Sequence, residues 1–143
     1  MSALNSMVRV HRWILDEKRQ KLGDLERLAD RMRDDLRRID EDIEREREIA
    51  RNSSEAGSAF SAFLVAARMR RSKIQESLDN LQREVELARG EVGDAFQELK
   101  QFETARDNAV EKEVSERKRR EQLSLDEMGV GLYRRRGGAS GKG

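Results

Sequence analysis

Apolar residues recur along the first third of the chain at alternating spacings of three and four. Positions written a are apolar at all seven repeats from Val8 to Ala50, and positions written d at four of seven from Leu4 to Glu46. This heptad repeat is the pattern of a helix that packs along one seam in a coiled coil. It predicts a first helix over residues 3–51.

A stretch of small polar residues interrupts this seam between Asn52 and Ser58 and includes Gly57. Such residues favour turns, so we expect a turn over residues 52–58. A second seam follows, from Phe60 to Glu113, with apolar residues at all eight d positions and at five of eight a positions. It predicts a second helix over about residues 59–127.

Two seams joined by a short turn can bury one another if the chain folds back on itself. The predicted fold class is therefore all-α: two long helices in an antiparallel coiled-coil hairpin, with residues 1–128 as a single domain. A turn centred near Glu55 sets the register of the two helices. The predicted neighbours are Ile43 with Ala67, Met32 with Leu78, and Leu4 with Arg106.

The second seam loses its apolar character after Ala109, where the first helix has no residues left to pair with it. Residues 110–123 should therefore project as a helix end without a partner in the chain. Gly129 and Gly131 predict the end of that helix. Residues 129–143 are predicted to form a flexible tail rich in glycine and arginine.

Composition restricts the chemistry available to the chain. The 143 residues include 30 Lys and Arg, 29 Asp and Glu, one His, no Pro and no Cys. The missing prolines favour unbroken helices. Without cysteine, and with a single histidine, disulfide frameworks, thiol nucleophiles, histidine-based metal sites and catalytic triads are excluded or very poorly supported.

The acidic residues do not form a catalytic constellation. They alternate with basic residues at helical spacings of three and four, which favours solubilising ion pairs over paired general acids and bases. The sequence therefore predicts a protein that is not an enzyme, without cofactor, metal or small-molecule substrate. No apolar run of 18 residues and no secretory signal is present, so we expect a cytoplasmic protein.

Trp13 is the most informative side chain for binding, because it falls at position f, away from the seam. Apolar residues lie on the neighbouring flank, which gives the first helix a second apolar stripe suited to an interface. The alternative is that this stripe packs on the C-terminal segment of the same chain, through Val110, Val114 or Tyr133. The predicted N-terminal binding residues are Met7, Val10, Trp13 and Ile14.

Basic residues concentrate at the C-terminal end, where residues 115–143 contain eight Lys and Arg but four Asp and Glu. Arg117 and Arg120, within a run of four basic residues, fit a solvated helix or an acidic protein partner, and less well nucleic acid or anionic lipid. No aromatic residue lies within this run to stack on a base, so base recognition is not supported.

Polar residues also interrupt the seams themselves. Charged residues within the seams commonly fix the register of paired helices, and His11 is expected to be a tolerated polar seam residue. The charged seam residues expected to act in this way are Lys18, Glu46, Arg71 and Arg106.

Three segments are similar to a known family. Phe60-Ser61-Ala62-Phe63-Leu64 follows the Ser/Gly break, Phe102-Glu103-Thr104-Ala105-Arg106 continues the second helix, and Leu125-Asp126-Glu127 precedes the arginine-bearing tail. With the chain length and the two helices, these segments resemble the flagellar export protein FliJ family. The stalk proteins of type III secretion injectisomes share this outline, so either export system is compatible with the resemblance.

The resemblance implies a cytoplasmic coiled coil, similar to the shaft hairpin of the rotary ATP synthase, that also works at the inner face of the cell membrane. It implies that the protein binds and regulates the hexameric export ATPase and links it to the membrane export gate and to export chaperones. The end where the termini meet would contact the ATPase, with Met7, Val10, Trp13, Ile14, Val110, Val114, Arg117 and Arg120 as the predicted binding residues.

Other functions fit the same helices. We expect a monomer when the protein is isolated, but a general coiled-coil scaffold that dimerises into a four-helix bundle through the Trp13 stripe is the alternative. A basic-tailed coiled coil that binds nucleic acid is less favoured.

Overall fold

The computed structural model describes the backbone of residues 2–140 and the side chains of residues 3–137. Helix α1 spans Ser2–Arg51 and helix α2 spans Ala56–Ser140. The described residues contain no strand. The prediction of an all-α fold with two long antiparallel helices is confirmed.

Ion pairs within single turns support α1 at the surface. An acidic residue repeatedly precedes a basic residue by three positions, as in Asp30 with Arg33 at 2.9 Å and Glu44 with Arg47 at 3.3 Å. This order, acidic before basic, is the favourable one on a helix. Each exposed pair stabilises the helix by only about 0.3–0.5 kcal/mol, so the alternation chiefly keeps a long helix soluble while the seam provides the packing.

The connection between the helices is shorter than predicted. The backbone N–H groups of Asn52 and Ser53 donate to the carbonyls of Ile49 and Ala50, at 3.2 and 3.4 Å, which closes the last turn of α1. Helix α2 already begins at Ala56, so the predicted turn over residues 52–58 was too long. Gly57 lies inside α2, and no described glycine has a positive φ.

Contacts divide the chain into two compact units, residues 10–98 and residues 1–9 with 99–143. In the first unit, residues distant in sequence pair across the two helices in antiparallel order. Asp40 contacts Arg71 at 2.8 Å, and Lys18 contacts Glu91 at 3.3 Å. These pairs confirm the register of the two helices that was predicted from the position of the turn.

The apolar clusters of this unit have the same register. One cluster contains Ile43 with Ala67, and Met32 packs against a second cluster that contains Leu78, as the seam spacing predicts. The unit of residues 1–9 with 99–143 shows the third predicted neighbourhood, since Leu4 and Arg106 line one groove.

Every buried core side chain is apolar and occupies a predicted a or d position. No charged or polar residue is buried in the part of the chain that the structure describes. The seam analysis therefore located the core correctly. The buried residues are Val8, Leu15, Ala29, Leu36, Ile39, Ile43, Ala67, Leu78, Leu81, Val85, Ala88, Ala95 and Leu99.

Helix α2 does not end near residue 127, so that predicted end and the predicted non-helical tail from residue 129 are wrong for the described residues. The helix passes through Gly129 and Gly131 and continues to Ser140. A glycine costs about 1 kcal/mol in a helix but does not remove a hydrogen bond, as proline would. Residues 141–143 of the predicted tail lie outside the described residues. The single domain over residues 1–128 stays a prediction.

Candidate protein-binding surfaces

The stripe around Trp13 lies at the surface. Trp13 is 63% exposed. If another segment of the chain covered the indole, we would expect it to be buried. Val10 is 48% exposed and Met7 is 38% exposed, whereas Ile14 is half-buried. Trp13 and Val10 therefore offer the larger part of the N-terminal apolar surface, and Ile14 contributes to helix packing.

Two seam positions next to this stripe are polar. His11 is mostly buried, and its Nδ1 lies 3.6 Å from Oε2 of Glu98. Two to three turns further on, Lys18 and Lys21 both contact the carboxylate of Glu91, at 3.3 and 3.4 Å. The Lys18 ammonium first, and the Lys21 charge after it, hold the pKa of Glu91 below its usual value. These contacts place polar groups of both helices in register, as the charged seam positions predict.

The pair of Arg71 and Asp40 is the better-oriented ionic contact between the helices. Nε and Nη2 of Arg71 donate to the two carboxylate oxygens of Asp40, at 2.8 and 3.2 Å. The hydrogen bonds from Arg71 hold the pKa of Asp40 below its ordinary value, and the same contact raises the pKa of Arg71. Both side chains remain partly exposed, so the pair fixes geometry more than it stabilises the fold.

The predicted C-terminal binding residues lie on exposed helix. Val110 is 52% exposed and Val114 is 40% exposed. Arg117 contacts Glu113 of the same helix at 3.7 Å, and Nε of Arg120 donates to the carbonyl of Glu116 at 3.4 Å. These guanidinium groups are held along the helix surface, where a partner could contact them.

Further apolar side chains continue this surface and were missed by the sequence analysis. Leu125, Met128 and Leu132 are 62%, 62% and 56% exposed on α2. Their spacing of three and four residues was available as a signal. It was overlooked because the helix was predicted to end near residue 127, between Leu125 and Met128.

A second missed surface lies where α2 begins. The twelve residues from Ala56 to Ala67 contain no charge, in a chain in which 41% of residues are charged. Val65 is 61% exposed, and Met69, one turn beyond it on the same face, is 60% exposed. Phe63 is 36% exposed on the other side of the helix. The absence of charge over three helical turns was the signal that could have identified this surface.

The two compact units differ in net charge. Residues 1–9 with 99–143 contain 12 basic and 8 acidic residues, whereas residues 10–98 contain 18 basic and 21 acidic residues. No group of three or more potential metal ligands occurs among the described side chains. No described helix has the length and apolar character needed to cross a membrane. The surface chemistry thus consists of apolar stripes beside exposed charges, which suits protein binding.

Comparison with known proteins gives one match. The family model described as "Flagellar FliJ protein" matches residues 1–138 of the chain. No curated protein and no solved structure matches.

Proposed function

Because the chain belongs to the FliJ family and is a component of the flagellar export apparatus, we propose that it binds the hexameric export ATPase and regulates its activity. The observation that carries this proposal is the family match over residues 1–138. The exposed indole of Trp13 supports it, because exposed aromatic anchors with apolar neighbours are typical of protein interfaces.

The proposed mechanism needs no active site on this chain. A helical component that binds one conformation of an ATPase subunit more tightly than another shifts the equilibrium between them by its difference in affinity. Trp13 and Val10 would contribute affinity as they lose contact with water. Arg117 and Arg120 would steer association and make its rate sensitive to salt.

We extend the proposal to two further partners of the export apparatus. The membrane export gate and the export chaperones would bind the same chain in the cytoplasm, at the inner face of the membrane. Separate binding measurements with a purified cytoplasmic gate domain and with a purified chaperone test these two proposals. Each of these two proposals is contradicted if its partner fails to bind a preparation of the chain that does bind the ATPase.

A rate measurement tests the ATPase proposal. The purified flagellar export ATPase should hydrolyse ATP faster when the chain is added, and Trp13→Ala should weaken binding by about 30-fold, the effect of losing a 2 kcal/mol interface anchor. Leu87→Ala is the matched control, since Leu87 is 70% exposed but belongs to neither proposed binding stripe. An unchanged rate together with no detectable binding would remove the proposal.

A further inference from the structure

Seven side chains follow one face of α2 beyond residue 109 at spacings of three and four. At about 100° per residue, all seven lie within roughly 80° of one another around the helix axis. The five apolar members are 40–62% exposed, and every described residue from 107 to 130 is exposed. We name this set the C-terminal stripe: Val110, Val114, Arg117, Glu121, Leu125, Met128 and Leu132.

The stripe is nearly symmetric about its middle. Arg117 and Glu121 occupy the centre, four residues apart, with two apolar residues before them and apolar residues after them. Reading the stripe backwards from Met128 to Val110 therefore gives the same order of apolar positions, with the two charges exchanged.

This symmetry matches the stripe to itself in the antiparallel direction. A two-fold axis near residue 119 would bring Arg117 of each copy against Glu121 of the other, so that two opposite-charge pairs form. The same operation brings apolar residues together on both sides of the charges. The resulting contacts are Val110 with Met128 and Val114 with Leu125, each formed twice.

We propose that the C-terminal stripe binds a second copy of this chain, in an antiparallel helix pair centred near residue 119. A parallel pair is disfavoured because it would place Arg117 beside Arg117 and Glu121 beside Glu121. A uniformly acidic partner is disfavoured as well, since the stripe presents one charge of each sign. This self-association uses α2 alone and does not depend on the proposed function.

The contact should be weak and concentration-dependent. Residues 110–128 span only about 28 Å of helix at 1.5 Å per residue, and a charged centre lowers the apolar area that a short seam can bury. The sequence predicted a monomer, with dimerisation through the Trp13 stripe as the alternative, so a dimer through the C-terminal stripe differs from both. Since Val110, Val114 and Arg117 also belong to the proposed ATPase surface, self-association and ATPase binding would compete.

Disulfide trapping tests the direction of pairing, because the chain has no cysteine of its own. Val110→Cys and Met128→Cys chains, mixed and oxidised, should give the mixed disulfide. Neither variant alone should cross-link, since two copies of residue 110 would lie about 27 Å apart in the antiparallel pair, far beyond disulfide reach. Cross-linking of either variant with itself, or no mixed disulfide at concentrations where the chain associates, overturns the proposal.

A charge exchange tests the contact without changing the apolar residues. In sedimentation equilibrium, Arg117→Glu and Glu121→Arg should each weaken self-association by at least about tenfold, because each creates a like-charge pair across the two-fold axis. The double variant should return to within about threefold of the original chain, since it restores opposite charges.

Arg119→Glu is the matched control for this exchange. It makes the same charge change on the opposite face of α2 and should leave self-association unchanged. Circular dichroism checks that every variant keeps its helix content. A chain that stays monomeric at millimolar concentration, or single variants that associate as the original chain does, would show that the stripe does not bind a second copy.

Discussion

The side chain of Ile39 shows how much one residue contributes to the pairing of the helices. It is 2% exposed and lies in the cluster that contains Ile43 and Ala67. Ile39→Ala should lower the free energy of unfolding by about 2–5 kcal/mol, because it removes buried methyl groups and leaves a cavity. Urea denaturation measures the change.

The matched control for Ile39 is Val65→Ala. Val65 is 61% exposed in the same contact unit, so its truncation should change stability by less than about 0.5 kcal/mol. Equal effects of the two substitutions would contradict the assignment of Ile39 to the core.

The pair of Asp40 and Arg71 gives stability a pH dependence that can be tested. The folded-state pKa of Asp40 is lowered by hydrogen bonds from Arg71, so its contribution is complete above the unfolded pKa of about 3.9 and is lost as pH falls through the lower folded value. The original chain should therefore unfold at a higher temperature than Asp40→Asn at pH 7.

The two chains should unfold at the same temperature once pH is below the folded-state pKa of Asp40. Thermal unfolding followed by circular dichroism from pH 7 to pH 2 measures this convergence. Asp79→Asn is the control, because Asp79 accepts a hydrogen bond from uncharged Gln75 on its own helix. A difference between Asp40→Asn and the original chain that does not shrink at low pH would contradict this account.

At the scale of helices, glycine positions separate the contribution of helix propensity to stability from the contribution of side-chain packing. Gly90 lies inside α2, and a methyl group added to it would meet no atom within 4 Å. Gly90→Ala should therefore raise the free energy of unfolding by about 1 kcal/mol, because alanine has the higher helix propensity and meets no steric obstacle. Thermal or urea unfolding provides the measurement.

Gly23→Ala is the informative comparison, since a new methyl group there would lie 3.3 Å from Nη1 of Arg27. Arg27 must shift, and its contact with Asp24 must readjust, so the gain at Gly23 should be smaller than at Gly90. A gain at Gly23 equal to or larger than the gain at Gly90 would contradict this steric account.

The ends of the helices were the part of the fold that sequence reasoning predicted least well. The heptad seams are set by side-chain burial, which the sequence encodes directly, and every buried residue among the described side chains falls on them. Helix ends at Gly129 and Ser58 were inferred from residues that permit a turn without requiring one. Because glycine and serine are compatible with helical φ and ψ, the absence of proline decided the outcome at both places.

At the scale of the whole molecule, the candidate surfaces divide in the same way, into those that the seams define and those that depend on where a helix ends. Trp13, Val110 and Val114 could be predicted because they depart from a seam that the sequence defines. Leu125 and Met128 could not be used while the helix was expected to end near them. Which partner covers the Trp13 stripe depends on the partner's own surface, and that information is not encoded in this chain.

Truncation separates folding from binding in the whole chain. Residues 115–130 have exposed side chains, and the few described residues beyond them bury little, so they contribute almost nothing to the core. A chain that ends after Val114 should keep its unfolding temperature within about 2 °C, because loss of exposed helix removes no buried apolar area. It should also lose self-association, since five of the seven residues of the C-terminal stripe are removed.

Removal of residues 1–9 is the contrasting truncation. It deletes Val8, which is 2% exposed, and should lower the unfolding temperature more than the C-terminal deletion does. Scanning calorimetry of both truncated chains, with sedimentation at matched concentrations, measures the two effects. If the chain ending at Val114 unfolds at a much lower temperature, the segment after it supports the fold through burial, and its apolar stripe would then be part of the core and not a binding surface.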